Sequence, residues 1–209
     1  QPAECVRINI DGTRSAMDAA IEAGVGRGIF LSTDKAAAPA THYGACKLAA
    51  ERLWIQGNVY AAGTGTKFSA TRYGNVLGSR GSVIEVWRRQ VAAGELPTVT
   101  DREMTRFWMT VEDGVDILTL LEAAVGPLPD IIETGIRRGE KLHETLISAD
   151  ESRYAFDHGD HYRIEPDRTW QDDPPPLNVS RQPIKPGWQF SSENATQLSV
   201  TALQRMIGL

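Results

Sequence analysis

Two pairs of ionisable side chains lie close together in the sequence: Asp34 and Lys35 in STDKA, then Tyr43 and Lys47 in YGACK. On a helix, residues four apart share a face, so Tyr43 and Lys47 point the same way. A free tyrosine titrates near ~10 and is a poor base at neutral pH. A lysine ammonium beside it favours the phenolate, and a bound nicotinamide cation favours it further. Such a phenolate accepts a proton from an alcohol while hydride leaves the same carbon. Thr33 is placed to orient that hydroxyl. Chance also produces the spacing in helices, so the pair needs a context.

The elements that must position these groups are legible. GIFLS (Gly28 to Ser32) is a short apolar run between turn signals, the pattern of a buried parallel strand. A helix over Ala3 to Ala23 precedes it, with Ile10, Thr13, Met17, Ala20 and Ile21 at helical spacing and Gly24 as its stop. A second helix starts near Tyr43 and runs through GACKLAAERLWIQGNVYAA. KFSATRYGN (Lys67 to Asn75) reads as the next strand. SVIEVWRRQVAAG (Ser82 to Gly94) and VEDGVDILTLLEAAV (Val111 to Val125) read as helices. The alternation predicts a doubly wound α/β fold. If the second helix packs beside the strand, Tyr43 and Lys47 face the strand's carboxyl end, where open α/β sheets bind ligands. After Pro127 the chain turns polar and proline-rich, and DDPPPLN (Asp172 to Asn178) must be loop.

Composition narrows the classes. The formal net charge of −5 argues against a general nucleic-acid surface while leaving room for a local basic pocket. No apolar run reaches membrane-spanning length, and no signal peptide is visible. Cys5 and Cys46 match no metal or disulfide spacing and read as reduced thiols of a cytoplasmic protein. His158 and His161 in HGDH are spaced like ligands, but no second cluster completes a site, so no metal is expected. Trp54, Trp87, Trp108, Trp170 and Trp188 read as packing residues.

The ordered set STDKA, YGACK, RYGNVLGSRGSV (Arg72 to Val83), DREMTRFWMT (Asp101 to Thr110) and GIRRGEKLHE (Gly135 to Glu144) resembles the extended short-chain dehydrogenase/reductases. More narrowly, it is similar to the inverting UDP-N-acetylglucosamine 4,6-dehydratases of bacterial surface-sugar pathways. PAECVRINIDGT and QFSSEN, near the two ends, share that likeness. The resemblance implies a Rossmann-like parallel sheet, here its C-terminal part, in residues 1–126, with residues ~76–110 contributing to the substrate side. It implies a smaller, irregular substrate-binding portion in 127–209. It also implies a lyase with NADP as cofactor, NAD being the alternative, and a cytoplasmic homo-oligomer acting on a UDP-sugar.

The resemblance further implies roles. The family oxidises the sugar at C4, eliminates water across C5 and C6, and returns hydride to C6. Elimination needs a base for the C5 proton and an acid for the departing hydroxyl. By analogy Asp34 is the acid and Lys35 the base, which requires Asp34 protonated and Lys35 neutral when they act, the states a closed dry pocket favours. Thr33, Tyr43 and Lys47 carry the redox step, and Tyr43, Lys47, Tyr73 and Gly74 lie near the nicotinamide. Arg106 and Arg137 match diphosphate contacts, suited by charge and planar donors. Glu140 matches the ribose contact, and Asn75 and Arg80 meet substrate at a strand end. Asn9 matches an asparagine that shapes the active site; a role in bending the helix is the equal alternative.

The sequence departs from the family's pattern in places. The Gly-rich dinucleotide turn should follow a strand and open a helix, yet GVGRG (Gly24 to Gly28) and GTGT (Gly63 to Thr66) precede theirs. The N-terminal dinucleotide-binding half is expected to be absent from this chain. The chain then reads as a fragment, as joined segments of a longer protein, or as a truncated paralogue. A strand and helix usual before the GIRxGEK motif are also missing near Gly126. Thr41 replaces an asparagine, Arg138 a proline, and Cys46 a small hydroxyl residue. Two other functions compete: a UDP-sugar 4-epimerase, which shares Thr33, Tyr43 and Lys47 but has no work for Asp34 and Lys35, and a silent UDP-sugar-binding scaffold. Product analysis separates the first, and a cofactor absorbance scan the second.

Overall fold

The computed structural model describes residues 1–76, 82–108, 113–127, 130–166 and 182–207, with the backbone alone at 113 and 114. Arg80, Trp170, Asp172 to Asn178, and Val111 and Glu112 lie outside the described residues. In chain order the elements are α1 (Pro2–Val6), a π-helical turn (Arg7–Asp11), α2 (Gly12–Glu22), β1 (Arg27–Leu31), a 3-10 turn (Asp34–Ala36), α3 (His42–Tyr60) and β2 (Lys67–Thr71). Then come α4 (Val83–Ala92), β3 (Thr98–Val99), β4 (Thr105–Phe107), β5 (Asp113–Asp116), α5 (Ile117–Val125), β6 (Ile132–Glu133) and β7 (Thr145–Ile147). A 3-10 turn (Glu151–Tyr154), β8 (Ala155–Asp157), β9 (Tyr162–Ile164), β10 (Gln182–Pro183), β11 (Phe190–Ser191), β12 (Thr196–Gln197) and α6 (Val200–Met206) complete the fold. Two compact units interleave: Gln1–Arg72 with Thr145–Phe190, and Tyr73–Glu144 with Ser191–Leu209. Packing thus divides the chain at 72/73, 144/145 and 190/191.

In the first unit β1 and β2 pair in parallel, from Arg27 opposite Lys67 to Leu31 opposite Thr71. Met17, Trp54, Ala61 and Phe68 form a core that joins α2, α3 and β2. Trp54 meets Phe68 edge-on at 4.8 Å, a geometry that adds to simple area burial. The expected buried strand is corrected on one face: Ile29 and Leu31 are 63% and 60% exposed, because within this chain helices cover only the Phe30 side. The long N-terminal helix forms, but a π turn interrupts it at Arg7–Asp11. Within that turn the Asn9 amide donates to the Cys5 carbonyl at 3.0 Å, a local bond suited to the helix-bending alternative.

β2 ends at Thr71, not at Asn75 as the sequence pattern suggested. Arg72 leaves the ladder because its guanidinium is committed elsewhere. It grips Glu51 of α3 with two bonds, at 2.6 and 2.9 Å, and Glu151 with two more, at 2.7 and 2.9 Å. It also donates to the Leu146 carbonyl at 2.9 Å. Ser32 adds a 2.6 Å bond to Glu51. Burial would lower the Arg72 pKa, but the bonds to Glu151 and Glu51 outweigh it and raise it. For Glu151 burial pushes upward, and the Arg72 and Ser148 bonds win, holding it below the usual glutamate value.

The second unit packs α4, α5 and α6 around Ile84, Trp87, Val99, Met104, Trp108, Val115, Leu120, Leu121 and Leu203. Each fully buried leucine contributes roughly 1.5–3 kcal/mol. Trp87 donates its indole N–H to the Thr98 carbonyl at 2.7 Å, so the buried ring leaves no polar atom unmet. The helix expected from Val111 is corrected. Residues 113–116 form a strand, antiparallel to β4 and parallel to β12. The helix begins only at Ile117, because the Asp116 side chain caps it by accepting from the Thr119 N–H at 2.9 Å. Beyond Pro127 the described chain is short strands and turns until the helix α6 near its end.

Replacing Arg72 with alanine leaves Glu51 buried with no cationic partner, and Glu151 with only the half-exposed Arg52, which should cost about 3 kcal/mol or more in urea unfolding at pH 7. Parental stability would contradict the assignment. Because the native Glu151 value lies below the usual 4.5, this stabilisation is present above ~4.5 and is lost as pH falls through the native value. The gap between parent and variant should therefore narrow in acid.

Candidate active site

The site grows from the end of β1. Ser32 is tied to Glu51, so Thr33 leaves the strand from a fixed point. Thr33 then caps the 3-10 turn, its hydroxyl oxygen accepting from the Lys35 N–H at 3.4 Å. The same hydroxyl donates to Asp34 Oδ1 at 2.8 Å, so here it orients Asp34 rather than standing free toward a ligand. Lys35 Nζ reaches Asp34 Oδ1 at 3.1 Å. Asp34 is 0% exposed, and its second oxygen, Oδ2, has no hydrogen-bond partner among the described residues. A buried carboxylate with one orphaned oxygen is costly as an ion. Lys35 supplies the cationic partner on the other oxygen, and its own side chain remains 42% exposed.

The chain then reverses sharply. Ala36 and Ala37 are buried, and Ala38 takes φ 45°, a left-handed conformation uncommon outside glycine. Thr41 caps α3 by accepting from the Gly44 N–H at 3.0 Å. Tyr43 lies in the first turn of α3 and is 45% exposed. One turn on, Lys47 Nζ donates to the Leu31 carbonyl at 2.9 Å and sits 4.2 Å from the Phe30 ring centre. Partial burial lowers the Lys47 pKa, and the Glu51 charge opposes that. The carboxyl end of β1 therefore gathers Thr33, Asp34, Lys35 and Lys47, with Tyr43 on the same helix.

Sequence reading missed two supports. Gly44 lies against the Lys35 carbonyl so closely that a Cβ would overlap that oxygen and press on Pro39. The first turn of α3 can approach the Asp34–Lys35 turn only because residue 44 lacks a side chain. The Arg72–Glu51–Glu151 network was the other. Its signal was present: Glu51 lies four and eight residues beyond Lys47 and Tyr43 on a helix face that meets the strands.

The second unit carries the remaining expected residues. Gly74 packs on Phe107, whose backbone a Cβ would strike, and Asn75 N–H donates to the Phe107 carbonyl at 2.9 Å. Tyr73 precedes them, partly exposed. Arg106 donates to the Thr105 and Leu142 carbonyls at 2.7 and 3.1 Å. Arg137 and Glu140 are exposed and close one turn, Glu140 accepting from the Arg137 N–H at 3.0 Å. Elsewhere His158 and His161 stack at 4.8 Å. Trp54, Trp87 and Trp108 are buried, as expected of packing residues.

The residues fit the nicotinamide end of a dinucleotide: a tyrosine and lysine on one helix, and an unpartnered buried oxygen at a strand's carboxyl end. GVGRG and GTGT precede β1 and β2, at their amino ends, and so do not supply the phosphate turn.

A parallel strand pair, a helix bearing Tyr-x-x-x-Lys and a strand-end acid–base pair define a Rossmann-like α/β protein. The family model described as polysaccharide biosynthesis protein matches residues 1–126 and 118–166, and the chain belongs to that family. An inverting UDP-N-acetylglucosamine 4,6-dehydratase of Campylobacter jejuni (serotype O:23/36, strain 81-176) is 39% identical, over 94% of this chain and 67% of its own length. A UDP-glucose 4-epimerase of Rickettsia rickettsii is 35% identical, over 79% of this chain and 56% of its own. The solved structure of Pen from Bacillus thuringiensis superposes with a TM-score of 0.82 at 30% identity, covering 99% of this chain and 69% of that one. The chain thus spans about two thirds of the length of the dehydratase and of Pen.

Gly44→Ala discriminates close packing from ordinary helix propensity. On an open helix face the change would stabilise by about 1 kcal/mol. Against the Lys35 carbonyl it should destabilise by about 1–3 kcal/mol in urea unfolding. A stabilised variant would contradict the close approach.

Proposed function

We propose that this chain carries the catalytic and substrate-side portion of a nucleotide-sugar 4,6-dehydratase. The reaction converts UDP-N-acetylglucosamine to a UDP-4-keto-6-deoxy sugar with inversion at C5. The observation that carries the reading is the buried Asp34 carboxyl paired with the half-exposed Lys35 directly after Thr33, beside the helix of Tyr43 and Lys47. An epimerase needs the helix pair alone and has no use for a second acid and base.

The Tyr43 phenolate takes the proton of the C4 hydroxyl, with Lys47 lending positive charge. A nicotinamide dinucleotide held beside Tyr43 and Lys47 would supply the hydride acceptor for C4 and the hydride donor for C6. Lys35, as free amine, takes the C5 proton, made acidic by the adjacent ketone. Asp34 gives its proton to the C6 oxygen as the C6–O bond breaks, so water leaves. A proton from solvent water, delivered to the opposite face of C5, completes the inversion, and the hydroxide left behind is neutralised by the proton that Lys35 took.

Family position assigns Arg106 and Arg137 to the diphosphate, Glu140 to the ribose, and Asn75 and Arg80 to the substrate. Tyr73 and Gly74 are assigned to the nicotinamide side. Arg106 and Glu140 are held by their own backbone neighbours, and substrate would compete for those contacts. NADP rather than NAD, the homo-oligomeric assembly and the cytoplasmic setting belong to the same proposal.

Lys35→Ala in the native protein should retain isotope exchange at C4 while water loss falls by about 10²–10⁴-fold. Tyr43→Phe should lower both together. Mass and ketone analysis of the product checks each. Dehydration at the parental rate in Lys35→Ala, or a 4-epimer as sole product of the parent, would overturn the reading.

A further inference from the structure

The fold unites Cys5 and Cys46, which the sequence left as separate thiols. The side-chain ligand atoms of Cys5, His42 and Cys46 all lie within 4.8 Å of one another. His42 Nε2 is 3.6 Å from Cys46 Sγ, matching the ~3.5 Å edge between sulfur and nitrogen around a tetrahedral zinc with ordinary bond lengths. We propose that Cys5, His42 and Cys46 form a binding site for a thiophilic divalent cation of the zinc class.

Three features support it beyond proximity. The ligands come from separate segments, α1 and the start of α3, and span the fold as ligands of a structural metal do. Asn9 donates its amide to Cys5 Sγ at 3.5 Å and to the Cys5 carbonyl at 3.0 Å. A donor to sulfur stabilises a thiolate and is the kind of outer partner that metal ligands keep. Asn9 lies in the π turn at Arg7–Asp11, and such turns in helices recur at functional sites. The π turn packs on α3.

The chemistry is consistent. Cys46 is buried and unoxidised, and a cation binding there displaces the thiol proton. Cys5 is half-buried and His42 exposed, which leaves a path of entry. His42 Nε2 also contacts the Pro2 carbonyl at 3.0 Å; binding through that nitrogen exchanges this contact for the metal. Three protein ligands leave a fourth position for water. The site flanks the candidate catalytic residues in sequence, since His42 precedes Tyr43 and Cys46 precedes Lys47. An occupied site would therefore tie α1 to the helix turn that bears the tyrosine.

The test is Zn²⁺ titration of the native protein under a non-thiol reductant, with Co²⁺ as spectroscopic probe. One equivalent should bind per chain, and Co²⁺ should give thiolate-to-metal charge-transfer absorption. Cys46→Ser and Cys5→Ser should each weaken Zn²⁺ by more than about 100-fold, and Asn9→Ala by about tenfold. Circular dichroism checks that each variant is folded, and the parental Co²⁺ spectrum needs no variant. Absence of charge-transfer absorption, or Zn²⁺ binding unchanged by both serine variants, would overturn the proposal. Neither readout depends on dehydratase activity, so the dehydratase reading can fail while this one stands.

Discussion

The arrangement depends on one buried carboxylate. Asp34 is sealed from water at the end of β1, with a hydroxyl and an amine on one oxygen and no partner among the described residues on the other. Burying an ion this way is unfavourable unless it is paired or neutralised. The side chain holds its position at a cost in stability that the contact with Lys35 offsets only in part. A surface Asp–Lys turn would have both groups in water and would need none of this support.

Several constraints hold that carboxylate in place. Ser32 and Arg72 pin the end of the strand to α3 through Glu51, and Arg72 continues to Glu151. Gly44 lets the first turn of α3 lie against the acid–base turn. Thr41 caps the same helix from outside. These contacts decide where Tyr43 and Lys47 stand relative to β1. The first two turns of α3 also carry His42 and Cys46 of the thiol–imidazole cluster. Residues that are catalytic in the proposal thus rest on residues that never touch substrate.

Much of this was legible from sequence. Apolar runs and glycine stops placed the first helix, β1 and α3, and the Tyr-x-x-x-Lys spacing placed both side chains on one face. The strand at 113–116 was not legible, because its sequence, Asp-Gly-Val-Asp, is too short and too polar to show a strand pattern and runs directly into the apolar residues of α5. The early end of β2 was hidden because Arg72 leaves the ladder for partners 21 and 79 residues away. The meeting of Cys5 with Cys46 was hidden for the same reason, since spacing cannot show which helix faces which. Periodicity reads local structure well. It does not read pairings made by tertiary packing, and both supports of the site are of that kind.

The most direct measurement of the central claim is deuterium uptake at C5 alongside water loss, in D₂O, with Asp34→Asn in the native protein. The amide keeps the shape and the oxygen that Lys35 contacts but cannot deliver a carboxylic proton. The account requires C5 deuterium incorporation to continue while water loss falls by about 100-fold or more. Water loss at the parental rate, or loss of C5 exchange without change at C6, would contradict it.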